Sequence, residues 1–374
     1  MKGEAEGRVP PGLLILFKHN SGNGIKFEST PKRCAFLNGR QKPLQEKVRL
    51  KLIANLIFFV LFLATSCAHI PYRGIRGESK VMEEIKDVSP FNYVKEDFPV
   101  EVELVRKKKG YVIKKVTFPS ALPAPGENNT VRGYYYQVEK EESSPVVVIL
   151  PIAGGSYFFS KKMAGFLVGH GMNCLRLERG ERLLNSEGDM EIVRRRLIKT
   201  IIDARRSIDW LVNQKEIDPE RIGITGASLG AFLSSLVAET DPRVKSSVFI
   251  LGGGNLARLF SESREKTIRS FRKRVMKKEK LTEEQFFQLV SQKLEDVDPL
   301  TYAGRLSPET ILMINTVNDV IVPRDCTLEF WSGVGEPELI WLPFTHTSSF
   351  FAFRYARLKT LEHFQRTLVD TLHD

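Results

Sequence analysis

Residues 223–232 read GITGASLGAF, with Ser228 held between Gly226 and Gly230 at the end of an apolar run. One reading makes Ser228 a helix N-cap, where a serine hydroxyl commonly accepts an unpaired backbone N–H. The other makes it a nucleophile on a strand-to-helix turn. The two are separated by what surrounds the stretch.

Pro145–Leu150 is continuously apolar, the mark of a strand covered on both faces of a parallel sheet. The chain then alternates: helix Lys161–Val168, strand Asn173–Glu178, helix Glu191–Gln214, strand Arg221–Thr225, helix Leu229–Glu239 and strand Lys245–Leu251. Two further strands are expected at Ile311–Thr316 and Glu338–Leu342. Such alternation predicts βαβ units, and hence an α/β fold with helices on both sides of the sheet. Val193, Leu197, Ile201, Ile208 and Leu211 recur at helical spacing, with Arg194, Arg195, Arg196, Arg205 and Arg206 falling largely between them. Upstream, Val100–Val105, Tyr111–Phe118 and Val131–Val138 mix polar and apolar residues and read as additional strands. The closing helix shows a stripe of Phe351, Tyr355, Leu358, Leu361, Phe364, Leu368 and Leu372, which is expected to pack on the sheet.

In this context Gly226-Ala227-Ser228-Leu229-Gly230 follows a buried strand and opens a helix, the setting that a nucleophile elbow requires. A serine on so sharp a turn has strained backbone angles, and side chains two residues to either side would collide with the neighbouring strand and helix. A helix N-terminus also favours developing negative charge.

A serine hydroxyl needs a base and a group that orients the base. Of the histidines, His19 and His69 lie outside the expected domain, His170 precedes the serine, His363 sits in the last helix and His373 is near the end of the sequence. His346 follows the last strand in the loop Pro343–Thr347 and fits the chain order Ser, acid, His. The acid is expected at the end of the penultimate strand, where Asp319 is the first choice and Asp325 the second. Backbone donors for an oxyanion are expected from Leu229 and from Ala153 or Ile152, in the loop Pro151–Ser156.

From about Phe98 to the C-terminus the chain resembles the α/β-hydrolase superfamily. Residues 218–230, DPERIGITGASLG, are similar to its dienelactone-hydrolase, acetyl xylan esterase and prolyl-oligopeptidase branches. Pro151 departs from the His-Gly that many relatives carry there. The resemblance implies a mostly parallel, eight-stranded sheet and a two-step acyl transfer, in which Ser228 attacks, His346 shuttles the proton and Asp319 orients it. It also implies that the helical insertion at about 255–300 forms a lid. Residues 262–280 in that insertion hold nine basic and three acidic residues. They read as a solvated helix face, or as a surface for anionic lipid head groups.

The formal charge of +11 is concentrated in the N-terminal leader, since residues 1–51 alone carry +7. Nucleic-acid binding is not expected, because no stacking aromatics are interleaved with a known binding motif. Lys47, Arg49 and Lys51 precede the apolar run Leu52–Ala64, and Ala64-Thr65-Ser66-Cys67 follows it. The order basic, apolar, small is that of a secretory signal. The stretch resembles the lipobox of bacterial lipoproteins, which implies lipidation at Cys67; an uncleaved signal anchor is the alternative, and either reading places a membrane-anchored domain outside the cytoplasm. Translation is expected to start near Val48, leaving 1–47 as a leader outside the functional chain, 48–67 as the signal, 68–97 as a loosely ordered tether and 98–374 as the hydrolase domain. Cys174 and Cys326 are expected to be buried free thiols. No CxxC or HExxH spacing occurs, so neither metal nor cofactor is expected.

The favoured function is a serine hydrolase acting on small-molecule carboxylic esters, with peptidase and thioesterase variants open. The rival is a lipid-anchored interaction protein that keeps the fold without the chemistry.

Overall fold

The computed structural model describes residues 68–73, 89–154, 157–184 and 187–370. The expected leader, the signal segment with Cys67 and Leu372 of the expected closing stripe lie outside the described residues. Among the described residues no helix is long and apolar enough to cross a membrane.

One mixed sheet runs through the domain, with strands β1 Ala68–Ile70, β2 Glu101–Lys108, β3 Tyr111–Pro119, β4 Thr130–Val138, β5 Ser144–Leu150, β6 Asn173–Leu177, β7 Ile217–Ala227, β8 Val244–Ile250, β9 Ile311–Thr316 and β10 Glu338–Leu342. Their order is β1-β10-β9-β8-β7-β5-β6-β4-β3-β2. The stretch from β6 to β10 is parallel, and the strands outside it pair antiparallel. The eight strands implied by the resemblance form the middle of this sheet. Two N-terminal segments extend it to ten, because each finds an open edge to pair with: β2 on β3 and β1 on β10. β2 is solvent-exposed along its length and carries Glu101, Glu103, Arg106, Lys107 and Lys108, charges that discourage further edge pairing.

The helices are α1 Phe158–Val168, α2 Met190–Leu211, α3 Leu229–Thr240, α4 Leu256–Glu262, α5 Lys266–Glu279, α6 Glu283–Leu294, α7 Pro299–Tyr302, α8 Arg324–Val334 and α9 Phe353–Leu368. Alternation along β5 separates the two cores. Val146 and Val148 pack with α2 and α3, whereas Val147 and Ile149 pack with α1 and α9. The five apolar residues expected on the buried face of α2 are all buried. Cys174 and Cys326 are both buried and free.

Three sequence expectations change. The stretch 68–97 is not only a tether: Ala68–Ile70 pairs with β10, and Phe91 is fully buried beside α2. Arg205 and Arg206 are buried rather than solvated, because they fasten that stretch. Arg205 Nη1 donates to the Phe91 carbonyl at 2.6 Å, and Arg206 lies 4.1 Å from the Phe98 ring centre. In the closing stripe, Leu361, Phe364 and Leu368 are buried as expected, but Phe351 is 75% exposed and Leu358 40%.

The 255–300 insertion is helical and packed, with Phe271, Val275, Phe286, Val290 and Leu294 in the same core as Met190, Val193 and Leu197 of α2. Its basic face is partly employed within the fold. The Arg272 guanidinium donates to the Phe260 and Ser261 carbonyls at the end of α4, supplying donors to carbonyls that no longer have helical partners. The insertion also reaches the loop after β9, where the Arg264 N–H donates to the Val320 carbonyl at 2.8 Å.

His363 ties α9 to the sheet. Its Nε2 lies 3.0 Å from the Thr310 carbonyl, and Arg366 Nη2 lies 3.2 Å from its Nδ1, so Nδ1 accepts and Nε2–H donates. Burial pushes this imidazole down to about 4, helped by the neighbouring Arg366 charge. The unfolded chain titrates near 6.5. The stability from a neutral ring is therefore present above that value and lost as pH falls towards 4. His363→Gln retains a donor without the titration. Urea melts at pH 7 and pH 4.5 are expected to show the parent losing about 2–3 kcal/mol more than this variant.

Candidate active site

The sheet order reverses at β5, which connects onward to β6 on one side and has β7 on the other. In open α/β sheets the crevice at the carboxyl ends of such strands is where ligands bind. The loops after β5 and β7 meet there.

β7 ends at Ala227, and Ser228 then adopts φ 53°, ψ −124°, a conformation that L-residues rarely take. Backbone bonds hold it: the Ser228 N–H donates to the Ile250 carbonyl at 2.8 Å, and its carbonyl accepts from Ala231 N–H at 2.8 Å. The flanking glycines are sterically required. A Cβ on Gly226 would sit 2.2 Å from the Gly230 carbonyl oxygen, and one on Gly230 would sit 2.6 Å from that of Leu150. These are backbone atoms on both sides, with no flexible side chain to yield.

Ser228 stands at the N-cap position of α3, yet its side chain makes no capping bond. Its Oγ lies instead 3.0 Å from His346 Nε2. On the other side of the ring, His346 Nδ1 lies 2.7 Å from Asp319 Oδ2. A carboxylate oxygen only accepts, so Nδ1 carries the proton and Nε2 is left to accept from the serine hydroxyl. The three residues thus form one line through sequence separations of 118 and 27 residues.

The parallel ladder of β9 and β10 continues past the strand ends and brings the acid to the base. Val317 N–H donates to the Leu342 carbonyl at 3.0 Å and Asn318 N–H to that of Phe344 at 3.2 Å. Asp319 Oδ1 accepts from the backbone N–H groups of Ile321 and Val322 at 2.8 and 2.9 Å, and the Thr316 hydroxyl reaches Oδ2 at 3.3 Å. The Asp319 side chain is 4% exposed and that of His346 12%. The His346 loop is pinned in turn by the Ser349 hydroxyl, which donates to the His346 carbonyl at 2.6 Å. Asp325, the alternative acid, stands in the first turn of α8, with its side chain 63% exposed and 3.6 Å from Arg258.

Leu229 opens α3, so its N–H has no acceptor within the helix. In the loop after β5, Ile152 is half-buried and Ala153 exposed. Arg179 Nη1 donates to the Ile152 and Gly154 carbonyls at 3.4 and 3.2 Å. Within a trans peptide the N–H points opposite the carbonyl, so this contact turns the Ala153 N–H away from Arg179. The Arg179 guanidinium stacks 4.5 Å over the Tyr157 ring, and the buried Arg176 guanidinium lies 4.8 Å from the centre of the same ring. Arg179 escaped the sequence reading because its partners lie 25 and 27 residues away, with no local pattern to mark them. Leu251 and Asn255 also have positive φ, at 55° and 58°, in the segment between β8 and α4.

Comparison with known proteins agrees with this architecture. The family model of the X-Pro dipeptidyl-peptidases (S15 family) matches residues 178–264, a segment that includes Ser228. The solved acetyl xylan esterase from Paenibacillus sp. R4 is similar at 19% identity, covering 71% of this chain and 89% of that one with a TM-score of 0.58. Acetyl xylan esterase 1 from Thermoanaerobacterium sp. JW/SL YS485 is similar at 16% identity, 72% and 89% coverage and a TM-score of 0.54. The acylaminoacyl peptidase of Pyrococcus horikoshii aligns at 20% identity over 70% of this chain and 42% of its own, with a TM-score of 0.51. The chain has the α/β-hydrolase fold. An uncharacterised protein of Mycobacterium tuberculosis (strain H37Rv) is 24% identical over 153 residues, and the chain spans about a third of that curated relative's length, 34%.

Proposed function

We propose that this chain is a serine hydrolase that cleaves carboxylic esters through an acyl-enzyme. The observation that carries the reading is the hydrogen-bonded line of Ser228, His346 and Asp319, at 3.0 and 2.7 Å. Ser228 Oγ attacks the ester carbonyl while His346 Nε2 takes the hydroxyl proton. Leu229 and Ala153 N–H groups receive the oxyanion. Collapse of the tetrahedral species breaks the ester C–O bond, and His346 returns the proton to the departing alcohol. Water then attacks the acyl-serine under the same base, releasing the acid and restoring the serine. Asp319 holds the Nδ1–H tautomer and stabilises the imidazolium that forms.

The esterase names of two structural neighbours support the ester as substrate, and the S15 peptidase match over 178–264 favours a second reading, an amide-cleaving enzyme. Kinetics on paired substrates separate the two. Nitrophenyl acetate and butyrate are expected to give kcat/KM at least ~100-fold above that of aminoacyl and prolyl nitroanilides, since discrimination of ~3 kcal/mol is within reach of differential transition-state binding. The reverse ranking would transfer the reading to a peptidase.

A further inference from the structure

Four exposed large apolar side chains lie on the segments that frame this site. Phe158 is 43% exposed, Val320 47%, Phe350 60% and Phe351 75%. Scattered exposed apolar residues are ordinary, but these four sit on the three segments that carry Ile152 and Ala153, Asp319, and His346. Phe158 begins α1 just beyond the loop after β5. Val320 follows the acid. Phe350 and Phe351 lie in the short 3₁₀ turn Ser348–Ala352 that follows the histidine. Ring contacts join the two sides, with Phe158 to Phe350 at 5.6 Å and Phe350 to Phe351 at 6.3 Å between centroids.

In the two aromatic segments, those after β5 and after His346, the charges are of one sign. Residues 157–163 and 343–358 contain Lys161, Lys162, Arg354 and Arg357 and no Asp or Glu. Lys161, Lys162 and Arg354 are exposed, and the Lys162 ammonium lies 5.7 Å from the Phe158 ring centre. Arg357 is already engaged, stacked on Phe166 at 4.6 Å. Rings that face solvent beside exposed cations complement a surface that is apolar a few ångströms down and negative on top. Aromatic rings settle at the acyl–headgroup boundary, while lysine and arginine reach the phosphates.

We propose that this aromatic rim docks the protein on the surface of an anionic lipid bilayer, with the mouth of the Ser228 site turned towards the lipid. Its substrates are then esters of amphiphiles drawn from that layer, a consequence that rests on the hydrolase reading, whereas the docking does not.

The test uses the full chain carrying Phe351→Trp, so that the indole reports insertion of the rim itself rather than attachment through residues 1–67. Emission is compared with that of the unsubstituted chain, which subtracts Trp210, Trp331 and Trp341. With vesicles of equal parts phosphatidylglycerol and phosphatidylcholine, the introduced indole is expected to shift to the blue and to be quenched by brominated acyl chains. With phosphatidylcholine alone it is expected to respond weakly. Adding Lys161→Gln, Lys162→Gln and Arg354→Gln should raise the lipid concentration for half-response ~100-fold, at about fivefold per charge. Adding Phe350→Ser should raise it ~10-fold. An indole indifferent to both kinds of vesicle, or equally responsive to both, would overturn the proposal, as would a response unchanged by removal of the charges. Fluorophosphonate labelling of each variant without vesicles keeps the two ideas apart. Intact labelling with no indole response rejects docking alone, and docking without labelling of the parent rejects the hydrolase reading.

Discussion

Ser228→Ala is expected to lower kcat on ester substrates by about 10⁶-fold, leaving only what the oxyanion donors and substrate binding supply. The size of the loss follows from the line in which the serine stands. With Oγ absent, the His346 Nε2 3.0 Å away has no proton to take and the carbonyl no nucleophile. The same reasoning predicts non-additivity: His346→Ala, damaging in the parent, should cost almost nothing further in the Ser228→Ala background. The backbone adds a stability readout. Alanine inherits the strained φ of 53°, whereas glycine adopts positive φ freely, so Ser228→Gly should be as inactive as Ser228→Ala but more stable by ~1 kcal/mol. An Ala variant that keeps its turnover would mean that the chemistry lies elsewhere. A module that retains the fold without catalysis would show no turnover to lose.

Asp319→Asn is expected to reduce kcat by about 10⁴-fold with the fold intact. The carboxylate's two oxygens have different duties. Oδ1 accepts from Ile321 and Val322 N–H groups, and Oδ2 faces His346 Nδ1. An asparagine must turn its carbonyl towards the two backbone donors, which puts its NH₂ against Nδ1. Two donors cannot share that contact, so the imidazole is driven to the tautomer with the proton on Nε2. It then donates to Ser228 instead of accepting from it, and the base is lost. Asp325→Asn, at a side chain that is 63% exposed and beside Arg258, should change kcat less than twofold and serves as the control. Equal losses in the two variants would contradict the assignment of the acid.

The parts of this architecture visible in the sequence are those where a local pattern carries the physical cause. Pro145–Leu150 of β5 and Ile311–Ile314 of β9 are apolar runs because both faces are covered, and the two glycines flanking Ser228 mark backbone approaches closer than any side chain allows. His346 is legible because it follows the last parallel strand directly and fits the order Ser, acid, His once the other histidines are set aside. The misread elements depend on something outside the local pattern. Phe351 matched the stripe of the final helix, but Ser348–Ala352 is a 3₁₀ turn with three residues per turn, and α9 starts only at Phe353. The phase inferred from Leu361, Phe364 and Leu368 therefore does not extend back to Phe351, which emerges on the rim. Ala68–Ile70 becomes a strand because β10 offers it an edge, and three residues are too few to signal a strand unaided. Arg205 and Arg206 look like surface charges until Phe91 and Phe98 fold over them, long-range contacts that helical spacing does not encode.

The proposed chemistry rests on Ser228 being an activated nucleophile. It is tested most directly by treating the purified protein with a fluorophosphonate at neutral pH and mapping the adduct by peptide mass spectrometry. One adduct is expected, on Ser228, absent from Ser228→Ala and formed far more slowly in His346→Ala. An adduct on another serine, or equal labelling of the parent and Ser228→Ala, would contradict it.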